Sequence, residues 1–258
     1  MQHQSLTAAL CASVLTMGLA GTADAALVSR LSGQAQYDTV LNITWLTNAN
    51  LAATNTFGVA GIQGDGAMNW NTANSWITAM NAAGGTGHLG VNDWRLPTLS
   101  PINGSTSFNE NFSNNATTDF GSAGAAGWVN ASGRPVSEMG YLFYVNLGNL
   151  GQCTPNNGDP ASCIEQPGFG LAHTGPFQNI QGLGYWSGMS NPSNPSDAWR
   201  FDFGGGGQAA SNKGGSFFAW AVRAGDVAAP VPLPSALLLM GTGLAGLLRM
   251  GRRQRRLC

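Results

Sequence analysis

Charge is the scarcest feature of this chain. Only 9% of its 258 residues are Asp, Glu, Lys or Arg, where a globular protein usually carries about a quarter. A surface so poor in ions has to be covered by Asn, Ser, Thr and Gly, which suits neutral, hydroxyl-rich extracellular neighbours. Much of the basic charge is also confined to one end. Five of the 11 Lys+Arg (Arg249, Arg252, Arg253, Arg255 and Arg256) fall in the C-terminal tail. Between residues 26 and 248, six basic residues stand against eleven acidic ones, a net of about −5. The sequence therefore predicts no basic patch and no nucleic-acid partner.

Catalytic signals are just as thin. The three histidines are His3 near the start, His88 in a Gly-rich turn and His173 in a loop. None has metal-ligand spacing, and neither Gly-x-Ser-x-Gly nor His-Glu-x-x-His occurs. The acids Asp65, Asp119, Asp159 and Asp197 are scattered singly, whereas calcium needs several convergent oxygens. The expectation is no catalytic residue, no metal and no cofactor.

What is present organises around the two ends. Leu6–Gly21 is an apolar run leading to Ala23-Asp24-Ala25. Small residues at both key positions make an A-x-A cleavage site, so residues 1–25 read as a signal peptide, although no Lys or Arg precedes the run. The competing reading is an uncleaved N-terminal anchor. At the other end every residue from Ala236 to Leu248 is apolar, Gly or Thr, and Arg249 then opens the basic cluster. The run is shorter than the roughly 20 residues of a comfortable span. Arginines beyond it would stay cytoplasmic, so a plain reading is an exported body held by a C-terminal membrane helix.

The body, residues 26–227, is long enough for one well-cored domain. Leu41, Ile43 and Trp45 alternate with Asn42, Thr44 and Leu46, which predicts a strand with one buried face. Ala73, Trp76, Ile77 and Met80 recur at i, i+3, i+4 and i+7 and predict a helix from Trp70, ending before Gly84-Gly85. A second helix is expected from the N-cap Ser137 through Met139, Leu142, Phe143 and Leu147 to Gly148. Trp199, Phe201 and Phe203, then Phe218, Trp220 and Val222, predict two late antiparallel strands joined by a flexible Gly204–Gly215 loop. Residues 102–135 read as a low-complexity insertion. The result is an α+β domain of two short helices and antiparallel strands. An extended linker and sorting motif (228–234) and a hydrophobic helix with a basic tail (235–258) follow it.

Two resemblances sharpen this reading. Val231-Pro232-Leu233-Pro234, the Leu237–Leu248 helix and Arg249–Arg256, in that order, resemble the PEP-CTERM sorting signal of Gram-negative bacteria. Leu233 stands where the eponymous motif has Glu. The resemblance implies an exosortase, a membrane transpeptidase-like cysteine enzyme, as processing partner. It also implies transient anchoring in the inner membrane, then a place at the cell surface or in the matrix of an exopolysaccharide producer. In the body, Asn92-Asp93-Trp94-Arg95-Leu96-Pro97-Thr98 comes first. Tyr185-Trp186-Ser187-Gly188, Ala198-Trp199-Arg200-Phe201 and Ala219-Trp220-Ala221-Val222-Arg223 follow. Over residues 37–227 they resemble the Lcl C-terminal-domain family, named after a collagen-like bacterial adhesin. That resemblance implies a single fold similar to C-type lectins and to formylglycine-generating enzymes.

The enzymes among those relatives depend on paired active-site cysteines. Here Cys153 and Cys163 flank a Pro/Asn/Gly loop and, in an exported chain, read as a disulfide worth roughly 2–3 kcal/mol. Asp93, Trp94, Arg95 and Arg223 read as a structural anchor, with Asp93 or Asp202 the expected partner of Arg95. Trp186, Trp199 and Trp220 at strand spacing read mainly as core. The Pro-stiffened loop Met189–Asp197, with Asn191, Ser193, Asn194 and Asp197, is the candidate ligand loop. Together these features favour a non-catalytic binding module in exopolysaccharide or biofilm assembly, meeting polysaccharide or a matrix protein. An inert matrix component is the alternative, and a formylglycine-generating-like enzyme is the third reading.

Overall fold

A computed structural model describes residues 27–227, Asn157 and the side chain of Asn156 excepted. The predicted signal peptide, the sorting motif, the apolar helix and the arginine tail lie outside the described residues. The chain first forms β1 (Leu27–Arg30), β2 (Ala35–Asp38), β3 (Ile43–Leu46) and α1 (Trp70–Ala82). The short strands β4 (Phe112–Ser113) and β5 (Phe120–Ser122) precede α2 (Glu138–Tyr141). Then come β6 (Cys153–Asn156), β7 (Asp159–Glu165), β8 (Gly184–Ser190), β9 (Asp197–Asp202), β10 (Gly207–Asn212) and β11 (Val222–Ala224). They build a four-stranded sheet ordered β1-β2-β3-β11, a five-stranded sheet ordered β4-β5-β10-β9-β8, and a separate β6-β7 ribbon. All neighbours are antiparallel except β4 and β5. No helix among the described residues is long and apolar enough to cross a membrane.

Both helices start where their capping residues allow. The Asn69 side chain accepts from Thr72 N at 2.8 Å and opens α1, whose buried stripe is Ala73, Trp76, Ile77 and Met80. Ser137 Oγ accepts from Gly140 N at 3.1 Å and opens α2. After one turn α2 widens into a π-helical turn, Leu142–Asn146. The wider turn keeps Leu142, Phe143 and Tyr144 all buried, and Gly148, at φ +65, ends the run.

The core is aromatic. Trp45, Trp76, Trp128, Trp186, Trp199 and Trp220 are all fully buried. Trp220 is the hub, with ring centroids 5.1 Å from Trp45, 5.0 Å from Phe177, 5.8 Å from Tyr185 and 5.7 Å from Phe203. Its indole N–H donates to Leu46 O at 2.7 Å. Offset and edge-on pairs of this kind add about 0.5–1.5 kcal/mol each beyond burial.

Three sequence expectations need correction. First, β3 is buried on both faces, because the chain returns over it and Thr44 Oγ1 donates to Gly225 O at 2.7 Å. Leu41 sits ahead of the strand, before Asn42 at φ +52. Second, the segment Gly204–Gly215 is no flexible link between paired strands. A tight turn, with Gly206 N donating to Asp202 O at 2.8 Å, folds β10 straight back onto β9. Val222 meanwhile pairs with Trp45 in the other sheet. Third, residues 102–135 are built into the fold. They supply β4, β5 and the core residue Trp128. They also hold a fully buried Asp119, whose carboxylate accepts from Ile102 N at 2.8 Å and Asn109 N at 2.7 Å.

Candidate binding site

Four of the body's six basic residues are bound up in ion pairs. Arg95 lies on a bridge to β11, its N–H donating to Val222 O at 2.7 Å. Its guanidinium grips Glu138 bidentately, Nη1 to Oε2 at 2.8 Å and Nη2 to Oε1 at 2.7 Å. The same carboxylate accepts from Thr98 N at 2.7 Å. The partner is therefore Glu138 in the first turn of α2, and neither Asp93 nor Asp202 as the sequence suggested. Those two acids have other cations. Asp93 faces Arg223 bidentately at 2.7 and 2.9 Å, and Asp202 lies 3.8 Å from Arg200. Arg223 holds the Asp93 carboxyl below the ordinary carboxylate range. Its Nη1 also donates to Asp226 O at 2.8 Å, while Asp226 takes Arg30 from β1 at 2.7 Å. This chain of ions fastens β1 to the end of the domain, beside a cleft of about 380 Å³ lined by Leu31, Leu89, Val91 and Val227. Trp94 is buried, its indole N–H donating to His88 O at 3.1 Å, and Asn81 bonds its backbone on both sides. The His88 ring packs edge-on against Phe57 at 5.4 Å, and burial lowers its pKa.

The predicted ligand loop divides. Asn191 is fully buried, its amide donating to Glu110 Oε2 at 3.0 Å and its carbonyl oxygen accepting from Ser193 N at 2.9 Å. It belongs to the fold, which corrects its place in the ligand set. Ser193 and Asn194 are exposed, and Asn194 donates to Asp197 Oδ2 at 2.9 Å. Lys213 clamps the loop from below through Ser190 Oγ and Pro195 O, both at 2.7 Å, with its ammonium 4.5 Å from the Trp70 ring centroid. Trp186, Trp199 and Trp220 are all fully buried and unavailable for stacking.

A different region gathers unpaired polar and exposed apolar groups. Cys153 and Cys163 are disulfide-bonded across the β6-β7 ribbon. A cavity of about 250 Å³ opens beside the ribbon, lined by Asn114, Ala123, Tyr144, Leu150, Thr154 and Gln166 among others, none of them charged. Tyr144 is saturated, its hydroxyl donating to Gly206 O at 2.6 Å and accepting from Ala123 N at 3.2 Å, and burial pushes its pKa up to about 12. Asn114 is the opposite case. It is 1% exposed, and neither its amide nitrogen nor its amide oxygen has a hydrogen-bond partner. Leaving such atoms orphaned costs about 1–3 kcal/mol each.

A second cavity, of about 200 Å³, shares Cys153 with the first and carries Phe112, Phe120, Gln152 and Arg200. Phe112 is 39% exposed and meets Phe120 edge-on at 5.6 Å. The two short strands at this rim can pair because Gly121 has no side chain: at φ +118, a Cβ there would lie 1.7 Å from Ser113 O. Sequence reasoning reached the disulfide and missed the two cavities beside it. The one signal was Phe112 standing alone in a polar run, Asn-Glu-Asn-Phe-Ser-Asn-Asn.

Among the described residues no group of three or more His, Cys, Asp and Glu could hold a metal ion. The chain belongs to the Lcl C-terminal domain family, which it matches over residues 34–223. Residues 230–256 match the PEP-CTERM protein-sorting motif, which marks an exported protein addressed to an exosortase. No curated protein and no solved structure matches the chain.

Proposed function

We propose that this protein is a non-catalytic binding module of the surface or extracellular matrix of a Gram-negative bacterium. It carries a signal peptide at residues 1–25 and a C-type-lectin-like body, and it acts on polysaccharide in biofilm assembly. The observation that carries the reading is the sorting motif at residues 230–256, directly behind a domain whose last described residue, Val227, is buried. An exported domain held this close to a processing signal is delivered to the cell surface as a folded unit. Two further features support binding over catalysis. Cys153 and Cys163 are tied to each other, so neither is a free thiol. The charged residues most suggestive of a site, Arg95 and Arg223, are already paired with Glu138 and Asp93.

The test has two parts. Mass spectrometry of protein released from the surface should find no peptide beyond Pro234, and replacing Pro232 and Pro234 with Ala should leave the full-length form in the membrane. Protein purified from the producer should also be retained on that cell's own polysaccharide. Passage through the polysaccharide without retention would leave the inert matrix component as the better reading.

A further inference from the structure

The orphaned amide beside the β6-β7 ribbon makes a specific ligand-binding site. We propose that the 250 Å³ cavity at Asn114 holds the acetamido group of an N-acetylated amino sugar in a neutral polysaccharide. This assignment rests on the glycan-module reading above and names its site.

The starting point is Asn114 itself. Its backbone N–H is fixed to Pro160 O of β7 at 2.9 Å, so the residue is held in place while its side chain goes unused. Buried amides in folded proteins are nearly always hydrogen-bonded. Here Nδ2 and Oδ1 both lack partners, although the residue is 1% exposed. An amide offers one kind of donor and one kind of acceptor side by side. An acetamido group answers one of the two: it is a trans amide whose carbonyl oxygen and N–H point opposite ways, so its carbonyl oxygen meets Nδ2 while its N–H turns away from Oδ1.

The walls narrow the choice further. The lining residues include no Lys, Arg, His, Asp or Glu. An anionic group seated in this cavity would have to shed water with no cation to meet it, since Arg200 lines only the adjoining one. Ala123, Leu150 and Pro155 present apolar surface instead. That surface suits the acetyl methyl group, and a bare hydroxyl would leave it unfilled. The sugar ring has a place as well. Phe112, exposed in the adjoining cavity across Cys153, offers the kind of apolar face on which the C–H side of a pyranose stacks. A peptide could supply an amide too, but would make no particular use of that ring.

The experiment uses the purified full chain and three probes: triacetylchitotriose, cellotriose and an N-acetylated tripeptide amide. The two sugars share a backbone and differ in the acetamido groups. Binding is read by saturation-transfer NMR at the acetyl methyl and by titration. The expected result is that triacetylchitotriose binds about tenfold more tightly than cellotriose, the gain of one neutral hydrogen bond and of burying the acetyl methyl. Asn114→Leu, which keeps the volume and removes both orphaned atoms, should erase that difference without lowering the melting temperature. Ala125→Phe, at an exposed position on the cavity rim, should block the acetyl signal while leaving the fold alone, and it decides the matter if the Leu variant fails to fold.

Equal binding of the two sugars would overturn the assignment, as would triacetylchitotriose binding that survives both variants. Preference for the tripeptide would overturn it in favour of a protein ligand. In each of these cases retention of the chain on its own polysaccharide would leave the module reading standing. Loss of that retention as well would remove both.

Discussion

Two regions of this domain handle their polar groups in opposite ways. Around Arg95 and Arg223 every guanidinium meets a carboxylate in fork geometry, and Glu138 also accepts from a backbone N–H. In the Asn114 cavity beside the β6-β7 ribbon the lining groups are neutral and partly unanswered, with Asn114 lacking any side-chain partner and Phe112 and Leu150 left in solvent nearby. A completed pair holds the fold and offers little to a ligand. An uncompleted one costs stability, and such costs are expected where function resides. In a chain with so few ions, the conspicuous arginines are scaffold and the inconspicuous asparagine is the candidate for contact.

The largest effect should come from Gly121. An alanine there would meet Ser113 O in a backbone conformation that L-residues rarely adopt. Gly121→Ala should cost about 3 kcal/mol or more and separate β4 from β5, which thermal melts will show. Next is Arg95→Ala. With Arg95 33% and Glu138 15% exposed at the side chain, the loss should fall between the surface and buried limits, about 2 kcal/mol. Arg95→Lys should recover less than half of it, since one ammonium cannot replace the fork. Replacing Cys153 and Cys163 together by Ser removes a cross-link spanning ten residues. The expected cost is about 2.5 kcal/mol or less, with faster amide exchange confined to the ribbon.

Smaller effects should distinguish the regions by pH. Arg223 holds the Asp93 carboxyl below its usual value. That contribution is complete above the unfolded value of about 4 and disappears as pH falls through the lower folded value. Asp93→Asn should therefore cost about 0.5 kcal/mol at pH 7, after discounting for its exposure, and progressively less as the pH falls below the unfolded value. Asp38 and Asp119 have the reverse sign, because burial raises both carboxyls. Their contribution is complete below the unfolded value and lost as pH rises through the folded one. A melt series from pH 3 to 7 on parent and Asp93→Asn checks the sign. Smallest of all, Ser193→Ala and Asn194→Ala should shift stability by less than about 0.5 kcal/mol.

Local patterns could be read from the sequence; partnerships across the chain could not. The stripe of Ala73, Trp76, Ile77 and Met80 and the cap at Ser137 each declare themselves within a turn of helix. β10, Gly-Gln-Ala-Ala-Ser-Asn, has neither β-branched nor aromatic residues and is a strand because β9 and β5 pair with it on either side. Glu138 lies 43 residues from Arg95 and was hidden by distance, although an acid in the first turn of a capped helix is a natural anion for a nearby arginine. Asn191 looked like a loop residue and is buried, because Glu110 reaches it from the segment taken for an insertion. Asn114 gave no signal at all, since its distinction lies in what fails to touch it.

Hydrogen exchange on the full chain, with and without the producer's own polysaccharide, compares the two regions in one measurement. Protection should concentrate in residues 112–125 and 150–166, with residues 89–95 and 222–227 unchanged. Protection at Asp93, Arg95 and Arg223, with none around Asn114, would contradict this division and make the paired arginines the binding surface.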